Sequence, residues 1–155
     1  QRFGIAQALL GDPQLVIVDE PTAGLDPEER NRFLNLLAEI GERCVVILST
    51  HIVEDVTDLC PRMAILGQGQ VLLAGEPLQA IASLEGRVWR RTIDKAELDG
   101  YRARMTILST RLLAGRTQIH VLADQSPGEG FVAVAPDLED VYFGRLRAQA
   151  TTRAA

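Results

Sequence analysis

Two carboxylates, Asp19 and Glu20, stand side by side where the apolar run Leu15-Val16-Ile17-Val18 stops. A second apolar run, Cys44 to Leu48, leads into Ser49-Thr50-His51. Adjacent acids at the end of a strand suit a division of labour, because one side chain can face a metal ion while the next faces a neighbouring reactant. In a nucleotide-hydrolysing site Asp19 would hold Mg²⁺, directly or through water, Glu20 would polarise the attacking water, and His51 could hydrogen-bond the terminal phosphate. The phosphates need neutral or positive company, and no GxxxxGK[ST] loop occurs in these 155 residues. Each residue also has an ordinary reading: strand-end acids are commonly just solvated, and a histidine after a strand commonly starts a helix.

The elements that position these groups follow from pattern. Four consecutive apolar residues that include β-branched Val and Ile read as a strand buried on both faces, as in a parallel sheet, where ligands sit beyond the carboxyl ends. Asp26-Pro27-Glu28-Glu29 supplies an N-cap, a proline at the first helical position and an acid three residues after the cap. The helix that follows presents Phe33, Leu34, Leu36, Leu37 and Ile40 on one face and is expected to stop at a left-handed Gly41. Residues 14–49 therefore form a βαβ unit with a right-handed crossover. His51 falls at the same sheet edge as Asp19 and Glu20, before a short helix with Glu54 and Asp55 in its first turn and Pro61 past its end. Upstream, Phe3, Ile5, Ala6, Leu9 and Leu10 give a helix over Gln1–Leu10, stopped by Gly11-Asp12-Pro13.

Farther along, 62–66 and 71–74 flank Gly67-Gln68-Gly69-Gln70 as a hairpin, and 77–84 is a helix. Beyond them 87–93 reads as a strand, Asp94-Lys95-Ala96-Glu97 as a capping box that starts a helix, and 105–112 and 117–122 as alternating strands joined through Ala114-Gly115. A last strand is expected over 131–134, then a helix capped by Asp137 that presents Leu138, Val141, Tyr142 and Leu146. There is no internal repeat. Residues 1–83 carry 5 Lys+Arg against 12 Asp+Glu, a charge of −7, whereas residues 84–155 carry 11 against 9, or +2. That shift suggests two domains, 1–83 and 84–155. The chain begins with Gln inside an apparent helix, and we expect it to be a fragment of a longer protein.

With 46% apolar and 24% charged residues the composition is that of a globular protein rather than a disordered one. The apolar runs are strand-sized, far short of the ~20 residues a spanning helix needs, and no signal-peptide pattern opens the chain. Cys44 and Cys60 match no metal spacing or disulfide framework and read as core residues of a cytoplasmic protein. His120, alternating in its strand without a second ligand-like neighbour, reads as a packed or surface histidine. The arginines at 87, 90, 91, 102, 104, 111 and 116 are interrupted by Asp94, Glu97 and Asp99, which favours a solvated face over a nucleic-acid partner.

Taken as one string, LVIVDEPTAGLDP, preceded by QRFGIAQALLGDP and followed by LSTH, closely resembles the nucleotide-binding subunits of ABC transporters. In that family the Asp-Glu pair ends the Walker B strand, its Glu is the catalytic base, the AGLD segment is a loop that reaches across the subunit interface, and the His of STH senses the γ-phosphate. By position the resemblance gives these roles to Asp19, Glu20, Asp26 and His51, with Asp26 also a helix N-cap. Residues 1–9 resemble the helix after the family's LSGG signature, and Gly69 to Pro77 its closing hairpin. Pro136-Asp137-Leu138-Glu139-Asp140-Val141-Tyr142 resembles the ending of ATPases that serve small exporters. Phosphate loop, glutamine loop and signature do not occur in this sequence.

The resemblance implies an α/β fold, the C-terminal part of a P-loop NTPase core (a parallel βαβ with a closing hairpin), followed by a small α+β module. It implies a Mg-dependent ATPase that uses ATP, pairs head to tail with a second ATPase subunit and drives a membrane-spanning permease for export. Such a protein would be peripheral at the inner face of the cell membrane. These residues alone are expected to bind ATP weakly or not at all, and to leave apolar faces uncovered. Two other classes stay open: a non-transport ABC ATPase of translation or DNA repair, and a non-enzymatic regulatory or dimerisation module.

Overall fold

The computed structural model describes Gly4 and residues 7–154. Of the helix expected over residues 1–10, residues 1–3, 5 and 6 lie outside the described residues. The chain divides into two compact units, Gln1–Cys60 and Pro61–Ala155. The division therefore falls at Cys60, whereas the charge balance shifts near residue 83.

In the first unit, β1 (Leu15–Asp19) pairs in parallel with β2 (Val45–Ser49), in the register Leu15↔Val45 through Asp19↔Ser49. Helix α1 (Pro27–Gly41) connects them, and α2 (Val53–Leu59) follows β2. Asp26 caps α1 as its sequence requires: the carboxylate accepts a hydrogen bond from the Glu29 N–H at 2.8 Å, and Pro27 opens the first turn. Phe33, Leu34 and Leu37 are buried, and Phe33 and Leu37 pack with Val16 and Val18 as the core of this unit. The stop expected at Gly41 takes another form. Gly41 is the last helical residue, Glu42 continues in right-handed geometry, and the N–H groups of Arg43 and Cys44 close on the Ile40 carbonyl.

The expectation of strands buried on both faces is corrected by the structure. Val16 and Val18 are 3% and 9% exposed under α1, whereas Leu15, Ile17, Val45 and Ile47 are 49%, 69%, 61% and 51% exposed. Successive residues of a strand point to opposite faces, and among the described residues only one face of this two-stranded sheet is covered. An uncovered apolar face, expected from the sequence, is thus observed.

The second unit begins with the hairpin β3 (Met63–Gly67) and β4 (Gln70–Gly75) and a short helix, α3 (Pro77–Ala82). Gln68 and Gly69 both have positive φ, +50° and +77°, the left-handed pair that a two-residue hairpin turn requires. A four-stranded antiparallel sheet follows in the order β6-β7-β5-β8, from β5 (Val88–Ile93), β6 (Thr106–Leu113), β7 (Arg116–Leu122) and the short β8 (Val132–Ala133). Between β5 and β6 the Asp94–Glu97 capping box forms as read, opening a 3₁₀ turn that runs on into α4 (Leu98–Arg104). Ile93, Tyr101, Ile107, Ile119 and Val121 make the core, with Trp89, Leu98, Met105 and Phe131 against it.

The terminal helix α5 (Leu138–Ala154) buries Leu138 and Val141. Its start is a reciprocal cap: the Asp140 N–H donates to Asp137 Oδ1 at 2.8 Å and the Asp137 N–H to Asp140 Oδ2 at 3.3 Å. Asp140, only 1% exposed, also meets Nδ1 of His120 at 3.0 Å. His120 is therefore a packed histidine. The same helix runs along the hairpin, where a Cβ on Gly67 would meet Leu146 at 3.0 Å and Gln149 at 3.2 Å. Arginines of this unit are engaged locally. Arg91 lies over the rings of Phe131 and Tyr101, and Arg111 pairs with Asp137 and Glu139. Among the described residues no helix is long and apolar enough to cross a membrane.

Candidate active site

The parallel register delivers the predicted residues to one edge of the first unit. Asp19 and Ser49 are partners at the last rung of the β1–β2 ladder, and the Ser49 hydroxyl donates to Asp19 Oδ1. The ladder extends one bond further, with the Glu20 N–H on the Ser49 carbonyl at 2.9 Å. Glu20 then turns the chain out of the strand with φ at +46°, left-handed backbone that a residue with a Cβ adopts only at a cost of roughly 1–2 kcal/mol. Its carboxylate meets the second arm of the site: Nδ1 of His51 lies 2.7 Å from Glu20 Oε2. The His51 side chain is 75% exposed and that of Glu20 36%. Because Nδ1 is the nitrogen that meets Glu20, Nε2 is the one available to a ligand.

Three of the four predicted residues, Asp19, Glu20 and His51, thus converge. Asp26 does not join them through any contact described here; it caps α1 at the far end of the turn 21–26. The exposed Asp19 carboxylate and the Ser49 hydroxyl offer hard oxygen donors. No cluster of three or more His, Cys, Asp or Glu residues able to hold a metal occurs among the described residues. That set fits Mg²⁺, which binds through one or two carboxylates and keeps waters and substrate phosphates for the rest of its shell.

Behind this edge lies a polar cluster that the sequence reading missed. Asp55 is fully buried at 0% exposure, and Thr22 is 2% exposed. The Thr22 hydroxyl donates to Asp55 Oδ2 at 2.5 Å and Arg30 Nε donates to Asp55 Oδ1 at 2.6 Å. Glu54 adds a rim contact to Arg30 at 3.3 Å. The hydrogen bond to Asp55 is the main cause raising the Arg30 pKa above its ordinary value, against the opposing effect of burial. Burial, and secondarily the Asp55 charge, pushes the Cys60 thiol up. From sequence, Glu54-Asp55 was indistinguishable from an exposed acidic first turn; its partners lie 25 and 33 positions away.

Known proteins resemble the chain along most of its length. A family model described as "AAA domain, putative AbiEii toxin, Type IV TA system" matches residues 1–54. An uncharacterized ABC transporter ATP-binding protein of Synechocystis is 30% identical over 98% of the chain and 45% of its own length. The Nod factor export ATP-binding protein I of Rhizobium etli is 33% identical over 92% of the chain and 48% of its own length. The methionine import ATP-binding protein MetN of Protochlamydia amoebophila is 34% identical over 72% of the chain and 32% of its own length. The chain thus spans less than half the length of these relatives. The acids and histidine that meet at the end of the parallel strands thus lie in a sequence that is similar along most of its length to ABC transporter ATP-binding proteins.

Proposed function

We propose that these residues are the metal-and-base half of the ATP site in a longer ABC transporter subunit, whose phosphate cradle comes from residues outside this sequence. One observation carries the reading: the approach of His51 Nδ1 to Glu20 Oε2, 2.7 Å, one residue past the rung that joins Asp19 to Ser49. Asp19 would hold Mg²⁺, which supplies charge stabilisation to phosphoryl oxygens. Glu20 is the base that orients and deprotonates the attacking water, with His51 fixing the carboxylate through Nδ1 and offering Nε2 to the terminal phosphate. Asp26, itself exposed at the end of the turn, is the residue assigned to coupling with a second ATPase subunit.

In this reading residues 1–83 complete an ATPase core and 84–155 form an accessory α+β module. The subunit acts as a dimer with a membrane-spanning permease, from the cytoplasmic face of the membrane. We assign export rather than import. The ending Pro136 to Tyr142 resembles ATPases of small exporters, and the export relative aligns with 92% of the chain against 61–83% for the import relatives.

The test is Glu20→Gln in the complete subunit. The amide keeps the shape of the side chain but cannot take a proton. ATP binding is expected to stay within about threefold of wild type while turnover falls by about 10²–10⁴, the usual worth of a general base. Normal turnover would refute the base assignment.

A further inference from the structure

The Thr22–Asp55–Arg30 cluster has a position that its burial alone does not explain. Thr22 lies two residues past Glu20, and Asp55 lies four residues past His51. The two arms of the site, each leaving its own strand, are thus joined a second time behind the Glu20–His51 contact. Both oxygens of the Asp55 carboxylate are committed, one to each direction: Oδ2 to the turn after β1 through Thr22, Oδ1 to helix α1 through Arg30. A carboxylate buried this completely is costly to leave without its donors, so each arm is costly to move without the other. The front contact has no such protection, because the His51 side chain is 75% exposed.

We propose that Asp55 is a positioning residue: through Thr22 and Arg30 it fixes the turn after β1 against α2 and so sets the separation at which Glu20 meets His51. The inference rests on the assignment of Glu20 and His51 to ATP hydrolysis. Asp55 takes no part in the chemistry. It acts by holding the base and the phosphate-sensing ring at hydrogen-bond distance, where a displacement of about 1 Å can cost on the order of 10²-fold in rate.

The experiment has two readouts. In the complete subunit, Thr22→Val removes the hydroxyl at nearly constant volume, and Thr22→Ser restores it. Thr22→Val is expected to lower kcat per folded molecule by about tenfold or more, with the KM for ATP within about threefold, and Thr22→Ser to return kcat to within about threefold of wild type. The second readout needs no activity. This chain holds two histidines, so the ring carbon signal of His51 can be assigned with His120 as an internal control. At fixed pH, Thr22→Val is expected to move the His51 signal in the direction of Glu20→Gln, and Thr22→Ser to restore it. Should Thr22→Val not fold, Asp55→Asn, which keeps the shape but cannot accept from both donors, takes its place in both measurements. An unchanged kcat per folded molecule with an unmoved His51 signal overturns the proposal. A wild-type subunit without ATPase activity overturns the assigned function instead, and the His51 signal alone then decides whether Asp55 positions the pair.

Discussion

Asp140→Ala offers a measurement that turns the geometry of α5 into energy. The Asp140 carboxylate is 1% exposed and serves two partners, the Asp137 N–H at the helix start and His120 Nδ1, whose side chain is only 12% exposed. Alanine leaves the first N–H without its cap, worth about 1 kcal/mol, and strands a buried imidazole, worth about 1–3 kcal/mol. The sum, about 2–4 kcal/mol, is a large share of the stability of a small unit. Trp89 is the only tryptophan in the sequence, and its indole donates to the Ala123 carbonyl at 3.0 Å within the second unit, so its fluorescence follows that unit's unfolding. With a urea slope of about 2 kcal/mol/M, the midpoint is expected to fall by about 1–2 M. Glu139→Ala is the control one residue away. It removes an exposed ion pair with Arg111 and is expected to cost less than about 1 kcal/mol. If both variants unfold within about 0.5 M of wild type, on that urea slope, the buried cap carries no appreciable energy and the reasoning fails.

Two further outcomes follow from other parts of the chain. In a Cys44→Ser background, alkylation of Cys60 as a function of pH is expected to show a midpoint above that of the same thiol in the urea-unfolded chain, because burial first and Asp55 second disfavour the thiolate; a midpoint at or below the unfolded one contradicts this. The exposed apolar face of β1 and β2 should drive self-association of these 155 residues, so Ile17→Lys combined with Ile47→Lys is expected to lower the mass measured by light scattering while Val16, Val18 and Leu37 keep their core; an unchanged mass rules that face out as the contact.

Local signals served the sequence reading well where the physics is local. The cap at Asp26, the box at Asp94 and the apolar face of α1 each depend on residues within a turn or two, and each forms. The convergence of Asp19, Glu20 and His51 was legible for a different reason: two strands of the same length and direction bring their ends to one edge. What could not be read was which faces are covered. Leu15-Val16-Ile17-Val18 is uniformly apolar, so it carries no mark to distinguish its packed side from its open one. Asp55 was read only as an acid in the first turn of its helix, because its partners are brought to it by tertiary structure. The shift of charge near residue 83 likewise says nothing of compactness, which in the second unit depends on a long-range fit: Gly67 of the hairpin lies close against Leu146 of α5.

Glu20 carries a consequence for how this sequence can change. Its φ of +46° is one that glycine adopts freely, so at this position the residue that best suits the backbone is one without a carboxylate. Relief of that strain and the capacity to accept a proton oppose each other at a single codon. On the proposed role of Glu20 as the base, selection for thermal resistance alone would favour glycine here and enrich for folded protein without turnover.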